Sequence, residues 1–459
     1  MLTFNLIEIA PVLKAQFIGH NTTIQGCSID TRTLETGNLF FALRGEQFDG
    51  HAFIAEAQKK GAAAIVVDHF CESPLPQLVV NDTLIAFGYL ARWWRQNMSL
   101  KHLVAVTGSN GKTTVKEMTR AILNQKGKTL ATQANFNNEI GVPLTLLQLT
   151  PEHDYAVIEM GARAVGDIAR LTPLAQPDVA TITQCAPAHL AGFGSVDNVA
   201  QAKGEIFHHL PAHGMAVINR DDLYADYWHN SLLEENGLPR CRISSFGLTT
   251  TVAIAPEIKA IDWQVQTTGC DFTLITPIGH RHIHLPLLGQ HNISNALNAA
   301  ACALACDCNL DDIQQGLETL TPVKGRLQVV AGLNDNVLLD DTYNANPTSL
   351  TAALRVLAQY PAPRWLILGD MKELGEQAID YHRQAGELAR DLGIEQVWTV
   401  GDLARHAAMV FGKNAHYFET MNDLMAVLTK YQPEQAHILV KGSRSMQMER
   451  VINALKVGY

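Results

Sequence analysis

A glycine loop set between an apolar run and a Lys-Thr-Thr triplet is the feature of this chain that most clearly promises chemistry. Residues 102–114 read His-Leu-Val-Ala-Val-Thr-Gly-Ser-Asn-Gly-Lys-Thr-Thr. Gly108 and Gly111, with Ser109 and Asn110 between them, let backbone N–H groups turn inward around phosphate oxygens. A helix opening at Lys112 adds partial positive charge. The Lys112 ammonium can reach the terminal phosphates of a nucleotide, and the Thr113 hydroxyl, followed by Thr114, can ligate Mg²⁺. The common phosphate loop G-x-x-x-x-G-K-[ST] would place its first glycine where Val106 stands, so this is a variant. An ordinary turn could carry Gly-Lys-Thr by chance. The strand before, the helix after and the second threonine favour phosphate.

Other residues fit around such a loop. Glu159 ends the run Tyr-Ala-Val-Ile-Glu. A carboxylate at the carboxyl end of a strand, in the same sheet as a phosphate loop, suits Mg²⁺ better than it suits a solvated strand-end acid. Asn295 lies in an Ala-rich helical stretch, where asparagine is unfavourable by propensity and wants a hydrogen-bonding reason. Asn135, Asn137 and Asn138 put three amides in one loop before a helix, a composition suited to a polar peptide or sugar. By residue type alone, His189 reads as polar surface and Lys203 as a surface helix lysine.

These groups need a scaffold of alternating strands and helices. In residues 1–98 the pattern predicts a strand at 37–43, a helix at 52–60, a strand at 62–68 and an apolar helix at 83–98. Residues 99–320 carry buried strands at 103–106, 155–160, 179–183 and 215–218, and a closing helix at 292–305. Residues 321–459 alternate strands at 336–340, 365–368, 396–400 and 437–440 with helices. The fold class is therefore α/β, with a central, mostly parallel sheet that should gather ligands at its carboxyl edge and a second, smaller nucleotide-binding-type sheet after it.

With 459 residues, 47% hydrophobic and 17% charged, the chain should fold into about three compact domains. A net charge of −10 argues against a nucleic-acid surface. No apolar run approaches a membrane span, and Met-Leu-Thr-Phe-Asn-Leu-Ile-Glu has no secretory pattern, so a cytoplasmic setting is expected. The eight cysteines form no C-x-x-C pair. Cys302, Cys306 and Cys308 read as buried small hydrophobes. His280, His282 and His284 alternate along one strand face, which reads as solvated because no acid or thiol lies near them in sequence.

Taken together, Thr-Gly-Ser-Asn-Gly-Lys-Thr-Thr, Glu-Met-Gly, Ala-His-Leu, Ala-Lys-Gly-Glu-Ile, Gly-Gln-His-Asn-Ile-Ser-Asn, Gly-Arg-Leu and Asp-Asp-Thr-Tyr-Asn-Ala-Asn-Pro resemble the Mur ligases of peptidoglycan synthesis, in the family's order and over essentially the full length. The Asn-rich stretch 132–141, Gly369-Asp370-Met371 with Glu373-Leu374-Gly375, and Lys441-Gly442-Ser443-Arg444 are similar to the member that adds D-alanyl-D-alanine. The Asp-Asn-Pro-Arg signature of siblings that add the third peptide residue is absent. A folylpolyglutamate synthetase would share the loop but not the first domain. A slow ATPase switch would not need two further domains facing one cleft.

The resemblance implies a three-domain architecture: 1–98 for a UDP-N-acetylmuramoyl peptide, 99–320 for ATP and 321–459 as a Rossmann-like ligase domain. It implies ATP and two Mg²⁺, one on Thr113 and Glu159, the second served by His189 and by Lys203 carrying a CO₂-derived carbamate. It makes Asn295 the adenine-reading amide, Arg326 the cation that reaches the γ-phosphate from across the cleft on closure, and Asp341 the ribose acid, with 343–346 lining the same cleft. Ser28 and Arg32, with 45–50, resemble a uridine-pocket pattern. Lys441 or Arg444 would meet the carboxylate of D-alanyl-D-alanine. The expected reaction joins that dipeptide to UDP-N-acetylmuramoyl tripeptide through an acyl phosphate, in a monomeric enzyme.

Overall fold

The computed structural model describes residues 3–45, 48–249, 255–428, 430, 431 and 433–458. The long β sheets succeed one another along the chain. A five-stranded sheet uses strands between Gln16 and Val79, all parallel but for the edge strand Gln16–Ile18. A nine-stranded sheet spans His102–Thr107 to Gly279–Leu285, and a six-stranded sheet spans Gln328–Ala331 to His437–Lys441.

The nine-stranded sheet positions the phosphate loop. Its strand His102–Thr107 lies between Tyr155–Glu159 and Val179–Ile182, parallel to both, with Val106 beside Glu159 and Thr107 beside Ile182. All of Tyr155–Glu159 is buried, as expected of a strand covered on both faces. The far edge turns antiparallel in the meander Ile258–Gln266, Gly269–Thr276, Gly279–Leu285. His280, His282 and His284 do project from one exposed face there. The fold supplies an acid that sequence distance concealed: Asp271, across the hairpin, lies 2.8 Å from the His284 ring. Cys302, Cys306 and Cys308 are buried in apolar surroundings.

The helix Thr83–Gln96 begins at Asp82, whose carboxylate accepts from the Leu84 and Ile85 amides. Phe87 packs edge-on against Phe41 of the first sheet at 5.0 Å, while Trp94 donates to the Leu149 carbonyl beside the nine-stranded sheet at 3.0 Å. One hydrophobic cluster therefore runs without a break from Phe4 through Phe87 to Ile218. Burying a side chain the size of Phe87 contributes roughly 1.5–3 kcal/mol, so this helix ties the two sheets firmly.

Several expected elements are shorter than their patterns. The strand at 37–43 is confined to Leu39–Phe41, and the helix at 52–60 starts as a 3₁₀ turn, Gly50–Phe53, before Ile54–Lys59. Asp49 dictates that tighter start, because its carboxylate accepts from the His51 amide.

Candidate active site

The loop after His102–Thr107 is built for glycine at both marked positions. Gly108 has φ +152° and a Cβ there would lie 1.8 Å from Thr183 Oγ1. Gly111 has φ +81°, and its Cβ would meet Asn295 Oδ1 at 2.5 Å. Ser109 fastens the loop to the segment that follows the strand Val179–Ile182: its amide donates to the Gln184 carbonyl at 2.7 Å and its hydroxyl to the Ala186 carbonyl at 2.9 Å. Lys112 opens the helix Lys112–Leu123 and donates to the Gly108 carbonyl at 2.7 Å, so its ammonium already lies over the loop. Asn295 satisfies its amide on Asn292 Oδ1 at 2.9 Å and faces Gly111 from the helix Gln290–Ala305.

Thr113 Oγ1 donates to Glu159 Oε2 at 2.9 Å, and Glu159 Oε1 accepts from Asn137 Nδ2 at 2.7 Å. Glu159 is 2% exposed, and its backbone amide donates to Thr132 Oγ1. Lys116, one helical turn beyond Lys112, is buried and donates to the Thr132 carbonyl at 2.6 Å. A hydroxyl and a carboxylate side by side at the head of a phosphate-loop helix form the oxygen set that Mg²⁺ takes.

Lys203 comes from the last turn of Val196–Gly204 and is 3% exposed. No carboxylate among the described residues forms an ion pair with it. Burial, reinforced by the charge of Lys112, pushes its amine down to about 7. His189, held in the left-handed region at φ 53°, is also lowered. Burial is the main cause, the Glu373 carboxylate opposes it, and the charges of Lys112 and Lys203 add to it. Lys112 too is lowered by burial, with Glu159 opposing and Arg326 adding. Lys112, Lys203 and His189 thus converge as mutually repelling bases, a pocket whose electrostatics call for anionic oxygen.

The six-stranded sheet closes over this cluster. Arg326 Nη2 reaches Thr113 Oγ1 at 3.3 Å, with the guanidinium 4.0 Å from the Tyr343 ring centre. Asn346 caps the helix Pro347–Leu357 through Oδ1 and reaches across through Nδ2 to Asn110 Oδ1 at 2.7 Å. His189 Nδ1 pairs with Glu373 Oε2. Arg326 Nε and Asn110 Nδ2 are buried without a hydrogen-bond partner. Two orphaned donors at one cleft fit an acceptor-rich guest such as a polyphosphate.

Lys441 departs from the sequence expectation. It is 2% exposed and its ammonium engages Asp341 Oδ2 at 2.5 Å and the Asn344 carbonyl at 3.0 Å, so two of its three donors are taken up inside the protein. Parallel pairing of Val337–Asp341 with His437–Lys441 brings the two residues together. Asp341 also accepts from the Leu327 amide at 3.2 Å. Arg444 is exposed and pairs with Glu449 at 3.1 Å. Two of the three loop amides have local tasks: Asn137 holds Glu159, and Asn138 accepts from the Gly141 amide at 2.9 Å, while Asn135 is exposed. In the first sheet region, Ser28 donates to the Asp30 carbonyl at 2.8 Å, and Arg32, largely exposed, pairs with Asp30 at 2.6 Å. Glu46 and Gln47 of the 45–50 stretch lie outside the described residues. Thr114 lines a cleft with Asn292, Val323 and Arg326.

Sequence reasoning missed Glu373, Lys116 and His291. Glu373 is the partner of His189 and carries φ 64°, a loop position that no periodicity marks. Lys116 shares a helix face with Lys112 at i, i+4, the one signal that could have found it. His291, whose imidazole burial drives down to about 4, lies within electrostatic reach of Asp341 and Lys441.

Family models match three stretches: "Mur ligase family, catalytic domain" at 23–82, "Mur ligase middle domain" at 106–303 and "Mur ligase, glutamate ligase domain" at 325–444. The chain is 43% identical over 461 residues to the UDP-N-acetylmuramoyl-tripeptide–D-alanyl-D-alanine ligase of Escherichia coli (strain K12), with 99% of each chain covered. It is 42% identical to the Haemophilus influenzae ligase of the same name, again over 99% of each. Its fold is similar to MurF from Acinetobacter baumannii at TM-score 0.90 and 33% identity, covering 99% of this chain and 98% of that one. It is also similar to the Thermotoga maritima MurF ligase in complex with ADP, at TM-score 0.81 and 27% identity over 94% and 96%. Full-length likeness, three family models in order and a phosphate loop bridged by an arginine from the third sheet agree: the chain belongs to the Mur ligase family.

Proposed function

We infer that this protein is an ATP-dependent ligase that joins D-alanyl-D-alanine to the terminal carboxylate of UDP-N-acetylmuramoyl tripeptide in cytoplasmic peptidoglycan precursor synthesis, yielding ADP and phosphate. The observation that carries the reading is the Arg326–Thr113–Glu159 chain, which links the third sheet to the phosphate loop through hydrogen bonds of 3.3 and 2.9 Å. The names of the 43% and 42% identical relatives support the choice of substrates. In this reading 1–98 receives the UDP sugar, 99–320 holds ATP and 321–459 brings the closing groups.

A carboxylate does not react with an amine until its oxygen has been made a leaving group. The peptide carboxylate attacks the γ-phosphorus and ADP departs, leaving an acyl phosphate. The dipeptide amine then attacks that carbonyl and phosphate departs. Lys112 and the loop amides hold the phosphates in line, and Arg326, stacked on Tyr343, meets the charge that grows on the transferring group. Thr113 and Glu159 would hold one Mg²⁺, and His189 with a carbamylated Lys203 would hold the other. Bound there, Mg²⁺ neutralises phosphoryl oxygens. A neutral, buried Lys203 amine without a carboxylate partner is a nucleophile for CO₂, and the resulting carbamate would supply an anionic oxygen beside Lys112 and His189. Asn346, through Asn110, and Glu373, through His189, tie loops of the third sheet region to the phosphate-loop side of the cleft.

The test is omission. ADP release is expected only with the UDP-muramoyl tripeptide present, and sustained turnover only when D-alanyl-D-alanine is added. ADP release indifferent to both substrates would replace this reading with a nucleotide switch. Among the described residues no helix is long and apolar enough to cross a membrane.

A further inference from the structure

We propose that His51, Asp68 and His69 form a binding site for a divalent transition-metal cation of the Zn²⁺ class on the first sheet, a proposal that does not rest on the reaction argued above. His51 begins the turn that follows Asp49, and Asp68 and His69 leave the buried strand Ala64–Val67. The fold brings the two segments together so that His51 Nε2 lies 3.2 Å from Asp68 Oδ1 and His69 Nδ1 lies 2.5 Å from the same oxygen. One ligand atom from each residue falls within 4.8 Å of the others, and the two imidazoles stack at 4.7 Å.

The hydrogen bonds around His51 fix which nitrogen faces the cluster. Its Nδ1 is 2.6 Å from Asp49 Oδ1, an acceptor only, so Nδ1 carries the proton. Its Nε2 lone pair turns toward the cluster and accepts only a long contact of 3.3 Å from the Asp68 amide, which a cation would displace. That lone pair faces Asp68 Oδ1, acceptor against acceptor. The His51 side chain is 9% exposed, so water screens the opposition poorly. A cation between the two atoms resolves it. The Asp49–His51 pair is also the carboxylate–histidine arrangement that orients an imidazole toward a metal from behind.

Arg44 bears on both acids. Its Nε lies 3.2 Å from Asp49 Oδ2, its Nη1 3.2 Å from Asp68 Oδ2, and its Nη2 donates to Asp68 Oδ1 at 3.4 Å. The guanidinium holds the carboxylates in place and offsets part of their charge; a guest would meet two imidazole nitrogens and Asp68 Oδ1, where it would compete only with the long 3.4 Å contact of Arg44 Nη2. Nitrogen-rich sets of this kind select Zn²⁺, Co²⁺ or Ni²⁺ over Mg²⁺ and Ca²⁺. The plainer role, a histidine that clamps Asp49 to Asp68, makes no use of His69, which is more than half exposed yet turned onto the same oxygen.

The full-length protein, stripped with chelator and kept in excess Mg²⁺, is titrated with Zn²⁺ by calorimetry and with Co²⁺ by visible absorption. The wild type should take up one equivalent, and Zn²⁺ should raise its melting temperature. His69→Ala and Asp68→Asn, checked for fold by circular dichroism, should each weaken binding at least about tenfold and abolish the thermal shift. His282→Ala, on the exposed histidine face of Gly279–Leu285, should leave both unchanged. The proposal is overturned if the wild type binds no equivalent, if His69→Ala and Asp68→Asn bind as tightly as wild type, or if binding is lost in His282→Ala instead.

Discussion

Arg326 donates through Nη2 to Thr113 Oγ1 at 3.3 Å, from 213 residues away in the chain, while its guanidinium plane lies 4.0 Å from the centre of the Tyr343 ring. The stack fixes the plane and the hydrogen bond fixes the reach. An arginine held in this way needs little reorganisation when negative charge grows on a phosphoryl group beside Thr113.

Arg326→Ala should therefore lower kcat by on the order of 10²-fold or more while changing the KM for ATP much less. Arg326→Lys should restore little of it, because an ammonium neither stacks on Tyr343 nor offers a planar fork. Steady-state kinetics with saturating peptide separates the two parameters. A variant that lost only ATP affinity would place Arg326 in ground-state binding.

Lys441→Met tests the reassignment of Lys441 from substrate ligand to internal partner. Removing a buried ammonium strands the largely buried Asp341 carboxylate, at a cost of about 3–5 kcal/mol. The melting temperature should fall sharply, and the KM for D-alanyl-D-alanine should change little in whatever protein remains folded. An unchanged melting temperature with a large rise in that KM would return Lys441 to the dipeptide site.

The His189 imidazole should titrate below the ordinary histidine range, because burial and the charges of Lys112 and Lys203 outweigh Glu373. Removing the opposing carboxylate in Glu373→Gln should lower it further. Histidine NMR across a pH series reads the midpoint directly. A midpoint that rose in this variant would mean that Glu373 is not the carboxylate His189 feels.

With its amine lowered to about 7, Lys203 is a neutral nucleophile above that pH and an ammonium below it. Carbamylation releases a proton, so wild-type activity should fall reversibly as pH drops below about 7, and added bicarbonate should move the fall to lower pH. The same shift means that folding binds fewer protons than the unfolded chain between about 7 and the ordinary lysine value of 10.5, so this group favours the fold as pH rises through that window. Lys203→Arg should be as inactive as Lys203→Ala, and short carboxylates should partly rescue Lys203→Ala alone. An active arginine variant would remove the carbamate from the account.

The local groups were the legible ones. Gly108, Gly111, Lys112, Thr113 and Glu159 announce themselves because a phosphate loop and its strand-end acid are set by sequence-near geometry, and the alternating strands of 99–320 follow from continuous apolar runs. Groups defined by tertiary contact were not legible. Parallel pairing of strands about a hundred residues apart decides that Lys441 meets Asp341. The return of the third sheet over the loop decides that Glu373 meets His189. In sequence 83–98 reads only as an apolar helix, and the fold shows the helix Thr83–Gln96 packing against two sheets. Asn137 and Asn138 are expected from sequence to meet a polar peptide or sugar; in the fold Asn137 donates to Glu159 and Asn138 accepts from the Gly141 amide at a helix start.

The transfer of oxygen tests the central claim most directly. The UDP-muramoyl tripeptide is labelled with ¹⁸O in its terminal carboxylate and turned over with unlabelled ATP and D-alanyl-D-alanine, and the released phosphate is examined by mass spectrometry. Activation through an acyl phosphate predicts that one carboxylate oxygen leaves with each phosphate released, in step with amide formation. Pentapeptide formed alongside phosphate free of ¹⁸O would contradict it.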